Sequence, residues 1–73
     1  MESEEKLFIV KFGNRLRDIR LSKQLSQEML ANDADIPINQ IGRIERAEIK
    51  TSLTTIFKIA NALEIDVKEL FEF

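Results

Sequence analysis

The sequence predicts an all-α fold of five short helices packed into one compact domain. Three observations predict it. Apolar residues recur at three- and four-residue steps almost from end to end, and no stretch alternates with the period of a strand. A single proline and two glycines leave few breaks in the chain. With 73 residues and no cysteine, neither a disulfide nor a thiolate-bound metal can staple the fold, so tight helix packing or self-association must stabilise it.

The first helix is expected from about Ser3 or Lys6 to Ser22. Phe8, Phe12, Leu16 and Ile19 form one apolar stripe, and Ser3 followed by Glu4 and Glu5 has the form of an N-cap with an acidic first turn. The segment "KLFIVKFG" is rich in β-formers and ends in Gly13, so residues 1–12 are either the start of this helix or an extended arm. Residues 13–73 form the domain proper. Ser26 opens a second helix, "SQEMLANDA", with Met29 and Leu30 turned inward and a small Ala31. The pattern breaks at Asp33–Asp35, and Pro37 restricts Ile36 to extended backbone. A third helix is expected over about Pro37–Arg46, burying Ile41 and Ile44 and exposing Asn39, Gly42, Arg43 and Arg46. Ser52 caps a fourth, with Leu53, Ile56, Ile59, Ala60 and Leu63 at helical spacing. Asp66 starts a short fifth that buries Val67 and Leu70.

Composition excludes several functions. There is no histidine, the commonest metal ligand and general base, and no Asp/Glu run has the spacing of a calcium loop. No glycine-rich phosphate loop is present, so an enzyme is not expected, nor a cofactor or small-molecule ligand. No apolar run approaches the ~20 residues of a membrane span, and "LFIV" follows glutamates and is too short for a signal peptide, so a cytoplasmic protein without membrane contact is expected. The net charge of −2 does not suggest nucleic acid by itself. The charge is unevenly spread, however: residues 13–50 carry seven Lys/Arg against six Asp/Glu, while both flanks are net acidic.

Two short helices joined by a tight turn, the second showing Asn, Gln and Arg to solvent, make a helix-turn-helix layout. The stretches "RLRDIRLSKQLSQEMLA", "IPINQIGRIER" and "SLTTIFKIANALEIDVKEL" together resemble the lambda repressor/Cro-like helix-turn-helix family from Gly13 to Phe71. The resemblance implies five helices, a recognition helix at about 37–46, and a homodimer that reads a palindromic operator in double-stranded DNA, typically as a repressor. It places Ile38, Asn39, Gln40 and Arg43 at base-reading positions. It places Ser26, Gln27, Arg46, Lys50 and Thr51 at or near phosphate-contacting ones, and it pairs Arg20 with Glu45 in a buried salt bridge between the first and third helices. Four positions depart from the family pattern. Asp35 and Ala47 stand where glycine is usual, Pro37 replaces a Ser/Thr cap, and Ile38 replaces a polar partner of the helix 2 glutamine. Ile38 either meets a thymine methyl or belongs to an apolar patch.

The C-terminal "LFEF", Phe57, and the Phe8 and Phe12 region either complete the core or form a two-fold interface. The alternative function is a helix-turn-helix-fold module that binds a protein, as an antitoxin does. Acidic charge, Ile38 and the apolar C-terminus motivate that alternative.

Overall fold

The computed structural model describes residues 3–73. Its elements are α1 (Glu4–Ser22), α2 (Gln27–Ala34), α3 (Gln40–Glu45), α4 (Leu53–Leu63) and a closing 3₁₀ helix, Val67–Phe71, which stands as the fifth. The described part of the 1–12 segment is helical, not an extended arm; its first two positions lie outside the described residues. The Ser3 hydroxyl oxygen accepts from the Lys6 N–H at 3.0 Å and the glutamates behind it meet the positive end of the helix dipole. These local terms outweigh the β-propensity of "LFIV".

Gly13 does not interrupt α1. It is buried where α1 meets the end of α3, and a β-carbon there would lie 2.6 Å from the Ile44 carbonyl oxygen and 2.7 Å from that of Glu45. The glycine is therefore the contact point that lets two backbones touch. Ser26 and Ser52 cap α2 and α4 in the same way as Ser3, accepting from Met29 N–H at 3.0 Å and Thr55 N–H at 3.1 Å.

The core draws on every helix. It joins Phe12, Leu16 and Ile19 to Leu30, Ala31 and Ala34, to Ile41 and Ile44, to Ile59, Ala60 and Leu63, and to Leu70 of the 3₁₀ helix. Each fully buried Leu or Ile contributes on the order of 1.5–3 kcal/mol from removal of apolar surface from water. Arg15 ties α1 to the last element, donating to the Glu69 carbonyl at 2.8 Å and lying 3.6 Å from the Glu72 carboxylate.

Several expectations are corrected. Met29 is half exposed, because α2 turns Leu30 and Ala31 inward instead. Leu53 is 85% exposed and Val67 also faces solvent, since α4 turns Ile56, Ile59, Ala60 and Leu63 to the core and the last turn buries Leu70. Gly42 is buried, not presented outward. The third helix begins at Gln40, three residues later than Pro37. The Pro37 carbonyl accepts a short turn bond from Gln40 N–H, and the first full helical bond runs from Arg43 N–H to the Asn39 carbonyl.

All four α-helices stop alike. Gln24, Asp35, Ala47 and Glu64 adopt φ of 58–60°, and the residue after each donates its N–H five residues back: Leu25 to Arg20, Ile36 to Ala31, Glu48 to Arg43 and Ile65 to Ala60. This is the Schellman ending, which satisfies otherwise orphaned carbonyls. None of the four left-handed residues is glycine.

Candidate nucleic-acid interface

The turn between α2 and α3 rests on Asp35, whose φ of 58° and ψ of 49° reverse the chain after Ala34. Aspartate tolerates this region better than most residues with a side chain. Ile36 then drops its side chain onto the core and Pro37 leads the chain out. Ile38 and Asn39 follow on the turn and Gln40 opens α3. Ile38 is 56% exposed, Asn39 is exposed and makes no side-chain capping bond, and Gln40 is half buried. Arg43 lies one helical turn beyond Asn39 and is exposed beside it. The opposite side of α3 is fixed by Ile41 and Ile44 in the core and by Glu45.

Glu45 is the hub of the arrangement. Its carboxylate accepts from Arg20 Nε at 2.7 Å and Nη2 at 3.1 Å, and from Gln27 Nε2 at 3.0 Å. Arg20 also donates from Nη1 to the Leu25 carbonyl at 2.8 Å. Both charged side chains are almost wholly shielded, at 8% and 3% exposure. One buried carboxylate thus holds α1, the start of α2 and the end of α3 in register. Gln27, which lacks a polar partner at position 38, uses Glu45 in its place.

Gly42 belongs to the same layer. A β-carbon on it would lie 2.9 Å from both Gln27 Oε1 and Arg46 Nη1. The missing side chain leaves room for the ends of the Gln27 and Arg46 side chains over α3. Sequence reasoning placed Gly42 on the outer face because its helical spacing sets it beside Asn39 and Arg43. Arg46 lies one turn further along, but Gln27 comes from α2 and left no local signal.

The candidate cations are each matched by an acid. Glu48 Oε2 accepts from Arg46 Nε at 2.6 Å, and its other oxygen lies 3.9 Å from Arg43 Nε. Lys50 pairs with Glu5 of α1, and Lys6 donates to the Ala47 carbonyl at 3.2 Å. The hydrogen bond from Arg46, with its charge, holds the Glu48 carboxyl below the usual carboxylate range and raises Arg46 in return. The bond to Lys50 likewise lowers Glu5. Ser26 lies exposed at the start of α2, its hydroxyl engaged as the cap. Thr51 differs from the other candidates: its hydroxyl oxygen is buried and has no partner among the described residues, so a contact to an outside anion requires the side chain to rotate. Sequence reasoning missed Glu48, whose position two residues after Arg46 fits no helical pairing rule.

No helix among the described residues is long and apolar enough to cross a membrane. The chain matches the family model described as helix-turn-helix, HTH_3, over residues 16–70. It is 44% identical over 63 residues to control protein C.BamHI of Bacillus amyloliquefaciens, across 85% of this chain and 78% of that protein. It is 36% identical over 63 residues to control protein C.MunI of a Mycoplasma species, across 85% of each. Among solved structures, the restriction-modification controller protein C.AhdI from Aeromonas hydrophila superposes with a TM-score of 0.85 at 46% identity, over 86% of this chain and 96% of that one. An HTH_3 family transcriptional regulator from Vibrio cholerae superposes with a TM-score of 0.86 at 30% identity, over 90% of this chain and 37% of its own. The chain therefore belongs to the lambda repressor/Cro-like helix-turn-helix family of DNA-binding regulators.

Proposed function

We propose that this protein is a cytoplasmic, homodimeric, non-enzymatic regulator that inserts α3 into the major groove of a palindromic operator, and that it controls restriction–modification genes. The last point follows from relatives whose names describe them as control proteins, one of them of a restriction–modification system. The observation that carries the reading is α3 itself. One side is locked by Ile41, Ile44 and Glu45, while Asn39 and Arg43 stand exposed a turn apart on the other. A major groove accepts one helix, and these two side-chain types pair with adenine and guanine edges respectively. Ile38 contacts a thymine methyl and Gln40 assists. Ser26, Gln27, Arg46, Lys50 and, after rotation, Thr51 align the phosphate backbone. Repression follows from occupying the promoter.

A second copy doubles the few base pairs that one helix reads. Leu53 and Phe57 support dimerisation, standing 85% and 58% exposed on the same side of α4. Selection of bound duplexes from a random pool tests base reading. Arg43→Ala should lose preference at one symmetric pair of positions while keeping the rest of the consensus. An unchanged consensus removes Arg43 from the reading set. Failure of the wild-type protein to bind any duplex at low salt favours a protein partner instead.

A further inference from the structure

Glu48 stands out among the residues that end the helices. The residue after a left-handed helix stop usually packs an apolar side chain back against the last turn. Leu25, Ile36 and Ile65 do so here, each packed on the core. At the end of α3 the same backbone position holds Glu48, which is exposed. Its N–H is bonded to the Arg43 carbonyl at 2.8 Å, so the fold itself sets this residue beside α3's arginines. Its carboxylate reaches Arg46 at 2.6 Å and lies 3.9 Å from Arg43. Glu48 thus forgoes the apolar packing made at the other helix ends and neutralises cations on the face that would meet DNA.

We infer that Glu48 is a specificity-determining residue, an internal stand-in for phosphate that keeps Arg43 and Arg46 from binding DNA through charge alone. This rests on the DNA-reading role proposed for α3. Binding to random sequence comes almost entirely from cations neutralising phosphates. On such DNA both arginines must leave Glu48 for phosphates, and the displaced carboxylate then faces the polyanion. At the operator Arg43 turns to a base edge with Glu48 still beside it, so the carboxylate stays paired and only Arg46 leaves for a phosphate. The carboxylate therefore penalises random sequence more than operator.

The test is a salt series of binding by the full chain to two duplexes of equal length, one selected from a random pool and one scrambled, for wild type and Glu48→Gln. Each phosphate neutralised adds about 0.9 to the slope of log affinity against log salt. Glu48→Gln removes one negative charge and should steepen the slope by about one such contact on the scrambled duplex and by less on the selected duplex, raising scrambled affinity several-fold to about tenfold and lowering discrimination. Adding Arg46→Gln to Glu48→Gln should remove much of the gain on both duplexes. A melting temperature for each variant identifies any change that comes from the fold. Wild-type affinities and slopes in Glu48→Gln, or weaker binding to the selected duplex, would overturn the inference while leaving the DNA-reading role intact. If wild type binds neither duplex at low salt, both fall together.

Discussion

Glu45 is the residue on which the arrangement depends most. A carboxylate buried among two guanidinium donors and an amide is well compensated, but removing it strands Arg20 with 8% of its side chain exposed. Losing one partner of a buried pair costs about 3–5 kcal/mol, mostly from the charge left behind. In a domain this small each kilocalorie moves the melting temperature by roughly 4–8 °C. Glu45→Ala should therefore lower the midpoint of thermal unfolding by more than about 10 °C. An unchanged midpoint would show that the pair contributes nothing net. The residue types of this hub stand plainly in the sequence, and the family resemblance pairs Arg20 with Glu45. What cannot be read there is the third partner, because Gln27 reaches Glu45 through space created by a glycine on a different helix.

The helices themselves were legible as elements, and their ends were not. Apolar spacing located all five, and serines at 3, 26 and 52 marked three beginnings. Stops are normally read from glycine, which enters the left-handed region without strain. This chain inverts the rule. Its two glycines lie inside α1 and α3, and its four left-handed stops are Gln, Asp, Ala and Glu. Two predictions follow from that inversion. Glu64→Gly should stabilise the protein by about 1 kcal/mol, since a side chain in this region costs roughly 1–2 kcal/mol, and chemical denaturation with an unchanged m-value would measure it. Gly13→Ala should do the reverse, by about 1–3 kcal/mol, because the new methyl meets backbone carbonyls that cannot swing aside. A neutral Gly13→Ala would mean that α1 and α3 can separate cheaply.

At the scale of the molecule, the aromatic residues from the two ends of the chain lie together, and of them only Phe12 enters the core. Phe8 stacks on Phe71 at 6.1 Å and meets Phe73 at 5.6 Å, while Phe12 lies 5.1 Å from Phe71. The N-terminal and C-terminal aromatics are thus one cluster, in which Phe8, Phe71 and Phe73 stay partly exposed. Leu53 and Phe57 on α4 remain without such partners. Phe57→Glu should shift sedimentation from dimer to monomer at micromolar concentration while leaving the far-ultraviolet circular dichroism unchanged. A dimer that survives the substitution would move the interface elsewhere. Because Phe57 lies on α4 and the proposed reading residues lie on α3 and the turn before it, such a monomer should keep the proposed reading surface and lose only the second half-site.

The side chains proposed to read bases stand apart from those that hold α3 in place. Ile38, Asn39 and Arg43 are exposed, whereas Ile41, Ile44, Glu45 and the space over Gly42 fix the helix from its other side. Exposed positions away from buried networks tolerate exchange with little effect on the fold. A lineage can therefore rewrite what its recognition helix reads, one letter at a time, without re-evolving the scaffold that presents it.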